Sequence, residues 1–130
     1  TAVEAGTRVP FIVRGRGQIP AGKVSPALIC QADLLASFAR LIGSSLPDDA
    51  APDSFDLLDV LLGKSETGRP ELIEHFTAFR QGNWKLIQGQ LYDLSTDLSE
   101  KKNLAKEMPE RAKAMSERFK ELQSAKKTRP

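Results

Sequence analysis

The stretch LIEHFTAFRQGNWKLIQGQLYDL, residues 72–94, alternates short apolar runs with turns that contain glycine. Three strands are predicted from these runs, marked by Phe76, Ala78 and Phe79, then Trp84, Leu86 and Ile87, then Leu91, Tyr92 and Leu94. The turns are Gly82-Asn83 and Gln88-Gly89, and glycine in a two-residue loop is a strong signal of a β-hairpin. The pattern predicts an antiparallel meander. Trp84 is expected to anchor its buried face, because an indole removes a large apolar area from water.

Downstream of the meander, a helix is predicted over residues 109–123. Pro109 suits the first turn of a helix. The apolar residues recur in steps of four and three, the period of one helix face, at Met108, Ala112, Met115, Phe119 and Leu122. We therefore expect this helix to pack across the meander. Residues 71–130 are predicted to form an antiparallel sheet of three to four strands packed by a C-terminal helix.

Upstream of the meander, the sequence predicts one strand and two helices. The strand covers residues 9–14, with Pro10 at its start or on an edge. The helices cover residues 33–42, with Asp33 as N-cap, and residues 57–62. Residues 64–70 are a polar connector and the best candidate for a boundary. The predicted fold class is α/β in the α+β sense, with residues 1–63 and 71–130 as its two parts.

A further short helix is predicted after the last strand. Asp97 and Glu100 have the spacing of a capping box, with Asp97 as the cap, and the helical turn would end near Asn103.

Composition excludes several classes of function. The chain has 130 residues, of which 40% are hydrophobic and 28% charged, enough for a packed core. The net charge is +2, and cations are interspersed with acids, so nucleic acid is not an expected partner. No apolar run reaches the roughly 20 residues that a membrane span needs, and no membrane association is expected.

The residues do not predict a complete active site. Cys30 lies in an apolar run, which favours a buried inert thiol over a nucleophile. His75 is the single histidine; a structural or solvent-facing role is favoured, and a role at a ligand cleft stays open. The acidic residues Asp48, Asp49, Asp53 and Asp56 favour a solvated loop over a calcium site, since the EF-hand spacing is missing. No metal ligands and no catalytic residues are predicted.

Several segments, in order, resemble the arylsulfatase family. EAGTRVPFIVR resembles the family's EGG-x-R-V-P-F segment, RQGNWKLI its R-x-G-D-W-K-L-I, and LYDLSTDLSEKKNLA its L-Y-D-L-x-x-D-P-x-E-x-x-N-L-A; these are residues 4–14, 80–87 and 91–105. Shorter likenesses lie at residues 31–38 and 53–58. The resemblance covers nearly the whole chain.

The resemblance implies part of a sulfatase, in the alkaline-phosphatase-like superfamily. That family hydrolyses sulfate esters with a formylglycine made from a C/S-x-P-x-R motif and with Ca²⁺ held by Asp and Asn. The motif does not occur in this sequence. The chain is therefore expected to be the C-terminal part of a longer enzyme. Residues 1–63 would end the large α/β domain, and residues 71–130 would form a subdomain beside the substrate cleft.

The same resemblance implies partners and a compartment. The chain is expected to associate with the N-terminal catalytic domain of its own polypeptide and to be inactive alone. His75 would contact a sulfated small molecule or carbohydrate. The family is usually periplasmic, secreted or lysosomal. Isolated, the chain is expected to self-associate through residues 9–13 and the helix 33–42. Two other readings stay open: a free-standing interaction module, and the tail of a related phosphoester or phosphonate hydrolase.

Overall fold

Four short antiparallel strands form a sheet in the order in which they occur along the chain. The structure is a computed structural model and describes residues 3–130. Its elements are α1 Glu4–Thr7, α2 Asp33–Leu41, α3 Leu58–Leu61, β1 Glu71–Glu74, β2 Ala78–Gln81, β3 Trp84–Ile87, β4 Gln90–Asp93 and α4 Pro109–Ser124. The predicted antiparallel sheet of three to four strands with a C-terminal helix is confirmed.

Both predicted two-residue turns join neighbouring strands. Gln88 and Gly89 have φ of 48° and 80°, as a type I′ turn between β3 and β4 requires. Gly82 has φ of 58° between β2 and β3. The sequence prediction missed β1 and placed Phe76 in a strand, which is wrong. Phe76 lies in the turn between β1 and β2 and is 91% exposed.

The core of the sheet lies under α4. Phe79, Leu86 and Leu91 stand opposite one another on three adjacent strands, and Met115 of α4 packs on them. All four side chains are at most 4% exposed. Phe119 stacks its ring on that of Phe79, with 5.8 Å between centroids. The predicted packing of the helix across the meander is confirmed.

Trp84 is not the anchor of this core. Its indole is only partly buried, and the guanidinium of Arg111 lies 4.5 Å from its ring centroid. Phe79, which is fully buried, takes the central position instead. The prediction that Trp84 anchors the buried face is therefore wrong. Trp84 begins its strand next to a turn, where α4 covers it less completely.

The chain divides into two compact units. One contains residues up to Phe11 together with Pro70–Ser124, and the other contains Ile12–Arg69 with Ala125–Pro130. The assignment of residues 1–63 and 71–130 to two parts of a larger enzyme stays a prediction.

In the second unit, Asp33 does more than begin a helix. It is the first residue of α2, and its side chain makes no capping bond within the helix; Ala32 holds the N-cap position. The Asp33 carboxylate accepts backbone N–H bonds from Cys30 and Phe55, and it pairs with Arg69, whose Nη2 lies 2.6 Å from Oδ1. The prediction that Asp33 caps the helix is wrong, because its carboxylate instead pairs with the buried Arg69.

Two further predicted elements differ in the structure. Among residues 3–130, no strand pairs with residues 9–14, and Ile12 is 90% exposed. That these residues pair in a larger sheet stays a prediction. Residues 97–103 form a turn and not a helix. The side chain of Asp97 accepts backbone N–H bonds from Lys101 and Lys102. Glu100 has φ of 54°, and its carboxylate contacts Lys85. The prediction of a capping box is therefore wrong.

No helix within residues 3–130 has the length and apolar character needed to cross a membrane.

Candidate functional site

The face of the sheet turned away from α4 carries a buried ion cluster. Successive residues of a strand point to opposite faces. In β3, Leu86 therefore packs in the core under α4, and Lys85 points to the other face. Glu74, the last residue of β1, points to the same face as Lys85. The short helix α1 and the turn at Glu100 complete this face by bringing two more carboxylates to it.

Lys85 lies at the centre of three carboxylates and is 0% exposed. Its Nζ is 2.9 Å from Oε1 of Glu4, 2.6 Å from Oε2 of Glu74 and 3.1 Å from Oε1 of Glu100. An ammonium group is costly to remove from water unless it is paired and hydrogen-bonded. We call these four residues, Lys85 with Glu4, Glu74 and Glu100, the Lys85 cluster.

Backbone and hydroxyl donors hold the carboxylates in place. The Glu4 N–H donates to Oε2 of Glu100 over 3.1 Å, so the first turn of α1 is tied directly to Glu100. Thr7, the last residue of α1, donates from its hydroxyl to Oε2 of Glu74 over 3.2 Å. Glu100 reaches the cluster from a left-handed backbone conformation, with φ of 54°. The cluster therefore joins α1, β1, β3 and the turn before α4.

Two arginines complete the charge balance. Arg80 on β2 places Nη1 3.5 Å from Oε2 of Glu4, and the more exposed Arg8 approaches the same oxygen to 3.9 Å. Three cations thus face three carboxylates. One atom is poorly satisfied: Oε1 of Glu100 is buried and has no hydrogen-bond donor, although Nζ of Lys85 is 3.1 Å away.

The electrostatics of the cluster keep Lys85 charged. Burial alone would lower the pKa of Lys85, but its hydrogen bonds to Glu4 and Glu74 and the charge of Glu74 outweigh burial, so the pKa is raised. A lysine with a raised pKa is a poor nucleophile and a poor general base at neutral pH. The cluster is suited to fixing the positions of its segments.

The residues of the cluster do not fit the Ca²⁺ that the family resemblance implies. Calcium takes six to eight oxygen ligands around an open centre, and the centre of these carboxylates is filled by the Lys85 ammonium. Within residues 3–130, no group of three or more His, Cys, Asp or Glu is arranged to hold a metal ion.

His75 lies next to the Lys85 cluster in the chain. It follows Glu74 directly, is exposed, and begins the turn between β1 and β2 with φ of 46°. A left-handed conformation is uncommon for a residue with a Cβ and is worth examining for function.

The other residues considered as sites lie in the second unit. Cys30 is half-buried, and burial raises the pKa of its thiol, as expected for an inert cysteine. Among the acidic residues, Asp56 pairs with Arg40 over 2.9 Å, and Asp53 accepts a bond from the Thr128 hydroxyl.

Sequence reasoning missed the Lys85 cluster. In the run Trp84-Lys85-Leu86, a lysine between apolar residues normally marks the solvated face of a strand, and Lys is rarely fully buried. One signal was present: Glu4, Lys85 and Glu100 all lie in the three segments that resemble the arylsulfatase family.

Comparison with known proteins gives relatives that match most of this chain. It is 40% identical over 141 aligned residues to N-acetylgalactosamine-6-O-sulfatase of Bacteroides thetaiotaomicron, covering 90% of this chain and 27% of that protein. It is 38% identical over 88 residues to arylsulfatase G of Rattus norvegicus, covering 68% of this chain and 16% of that protein. It is 36% identical over 73 residues to human steryl-sulfatase, covering 56% of this chain and 12% of that protein.

A solved structure described under the metabolism of multiple glycosaminoglycans by Bacteroides thetaiotaomicron is also similar. It superposes with a TM-score of 0.85 at 39% identity, over 94% of this chain and 30% of that one. No protein-family model matches the chain. The chain thus spans less than a third of the length of these relatives.

Proposed function

This chain is a region of a protein of the sulfatase family, and we propose on that premise that it forms the C-terminal part of a sulfuric ester hydrolase. The observation that carries the proposal is the 40% identity that extends along 90% of the chain. Formylglycine and Ca²⁺, which the family resemblance implies for the whole enzyme, would be held by residues outside this chain. Its own residues would serve as scaffold and as one wall of the substrate cleft.

The substrate class that we propose is a sulfated carbohydrate. The N-acetylgalactosamine-6-O-sulfatase aligns with 90% of the chain, whereas the steryl-sulfatase aligns with 56%. The solved relative, at a TM-score of 0.85, comes from work on glycosaminoglycans. A 6-sulfated galactosaminyl oligosaccharide is therefore the first substrate to test, and an aryl sulfate is the second.

The catalytic part of the same polypeptide is the proposed partner. The test compares sulfate release by the 130-residue chain and by a longer polypeptide that also carries the C/S-x-P-x-R motif. We expect release from the 6-sulfated oligosaccharide only by the longer polypeptide. Hydrolysis by the chain alone would overturn its assignment as an inactive part. Preference for an aryl phosphate would favour a phosphoester hydrolase, and the absence of any upstream motif would favour an interaction module.

His75 is the proposed substrate contact of this wall. Its exposed imidazole carries an N–H donor in either tautomer, and its left-handed backbone holds the ring at the tip of a hairpin. We expect His75→Ala in the longer polypeptide to raise KM several-fold for the sulfated oligosaccharide. Thr96→Ala, a change in an exposed turn of the same unit, is the control. Unchanged KM and kcat in the His75 variant would remove this assignment.

A further inference from the structure

The tip of the β1–β2 hairpin presents an aromatic ring to solvent. Phe76 is 91% exposed, the highest value among the exposed large hydrophobic residues, and the neighbouring His75 and Thr77 are exposed as well. Single exposed apolar residues are common on proteins. Exposure alone therefore decides nothing, and the way in which the tip is held matters more.

Both sides of this tip are fixed to the body of the unit. On one side, Glu74 belongs to the Lys85 cluster and lies 2.6 Å from the Lys85 ammonium. On the other side, Ala78 is fully buried. Above the turn, the Gln123 side chain of α4 donates an N–H bond to the Phe76 carbonyl over 3.2 Å. The ring of Phe76 is thus held outward on a constrained backbone.

The backbone of the tip is strained. His75 adopts φ of 46°, a conformation that costs free energy for a residue with a Cβ. A residue with a Cβ keeps this conformation only where the surroundings enforce it. The anchored turn therefore presents an apolar ring and a polar imidazole side by side at the surface.

We propose that Phe76 is a stacking platform for a sugar ring of the substrate, next to the hydrogen-bonding imidazole of His75. A pyranose offers one face of C–H groups, which packs on an aromatic ring, and an edge of hydroxyl groups for a neighbouring N–H donor. This inference rests on the proposed function, because the ligand class is that of the proposed substrate. It adds a specificity-determining residue to the cleft wall.

The test uses the 130-residue chain and a chondroitin 6-sulfate tetrasaccharide, with amide NMR shifts as the readout. We expect shift changes at residues 75–77 at millimolar glycan. Phe76→Ala should weaken binding about tenfold, which equals about 1.4 kcal/mol, whereas Phe76→Tyr keeps the ring and should bind within about twofold of the original. Phe38→Ala removes a half-exposed ring from α2 and should leave binding unchanged. The amide spectra of the variants verify that each is folded.

Three results would overturn the platform: no shift changes at residues 75–77, changes confined to other residues, or equal affinity in Phe76→Ala. The proposed function fails separately, through the assay of sulfate release. If the longer polypeptide hydrolyses the oligosaccharide while the tip binds nothing, only the platform is wrong. If the tip binds the tetrasaccharide while no sulfate is released, only the assignment as a hydrolase is wrong.

Discussion

Lys85 is the buried cation that three carboxylates of the first unit share. Replacing it with Met would leave Glu4, Glu74 and Glu100 buried around an apolar side chain. Removing one partner of a buried ion pair typically costs about 3–5 kcal/mol, because the remaining charge is uncompensated. We expect a loss of that size for Lys85→Met, measured as the free energy of unfolding in urea.

The matched control for that experiment is Lys102→Met. Lys102 pairs with Glu107 over 3.2 Å, but both side chains are more than half exposed. Exposed ion pairs contribute about 0–1 kcal/mol. A Lys85→Met chain no less stable than Lys102→Met would show that the cluster contributes nothing to the fold.

The raised pKa of Lys85 predicts a stability that depends on alkaline pH. Burial opposes the charge, but hydrogen bonds to Glu4 and Glu74 outweigh it, so the folded state binds this proton more tightly than the unfolded state. The contribution is complete below the unfolded-state pKa of about 10.4. It is lost as the pH rises through the higher folded-state pKa.

The measurement compares unfolding free energy against pH for the original chain and for Lys85→Met. Other lysines titrate equally in both, so the difference between the two curves isolates Lys85. We expect this difference to shrink above about pH 10.4. A constant difference across the alkaline range would contradict the raised pKa.

At the scale of elements, a substitution in the turn between β3 and β4 is expected to increase the stability of the chain. Gln88 has φ of 48°, whereas type I′ turns prefer Asn or Gly at that position. We expect Gln88→Asn to stabilise the chain by about 0.5 kcal/mol, as seen in the melting temperature. Gln81→Asn, within β2, is the control and should give no gain because Asn is depleted in strands. A Gln88→Asn chain that melts at a lower temperature would refute the expectation.

Elements defined by local pattern could be predicted from the sequence. The glycine-bearing turns set the hairpins, and the stripe from Met108 to Leu122 set the packing face of α4. The four-residue strand β1 was missed because Glu71-Leu72-Ile73-Glu74 is too short to alternate clearly. Local rules also predicted a capping box at Asp97 and a cap at Asp33. In the structure, Glu100 of that box pairs with Lys85, and Asp33 pairs with Arg69.

Contacts between distant residues could not be predicted in the same way. The sequence contains 17 acids and 19 cations, apart from its histidine, and nothing in the local pattern says which of them become buried partners. The predicted capping contacts of Glu100 and Asp33 are replaced by ion pairs with residues far along the chain. The Lys85 cluster was therefore not predicted, although the family resemblance covers Glu4, Lys85 and Glu100, and the role of His75 stays a prediction.

At the scale of the whole molecule, exposed apolar residues predict self-association. Ile12 is 90% exposed, and Ile42 at the end of α2 is 79% exposed. Large apolar side chains that are exposed to water can serve as points of association. We expect the mass measured by sedimentation to rise with concentration, and Ile12→Lys combined with Ile42→Lys to suppress the rise.

The control for association is Leu98→Lys, which changes a residue that is 47% exposed in a turn of the first unit. This variant should associate like the original chain. A single monomeric species at all accessible concentrations would contradict the prediction.

The Lys85 cluster also has a consequence for folding during synthesis on the ribosome. Glu4 meets Lys85 at a sequence separation of 81 residues and Glu100 at a separation of 96. A ribosome adds about 5–20 residues per second. Glu4 therefore waits on the order of 5–20 s after its own synthesis until Glu100, its last partner, is synthesised. A polypeptide that ended before Glu100 would therefore lack the carboxylate that accepts the Glu4 backbone N–H.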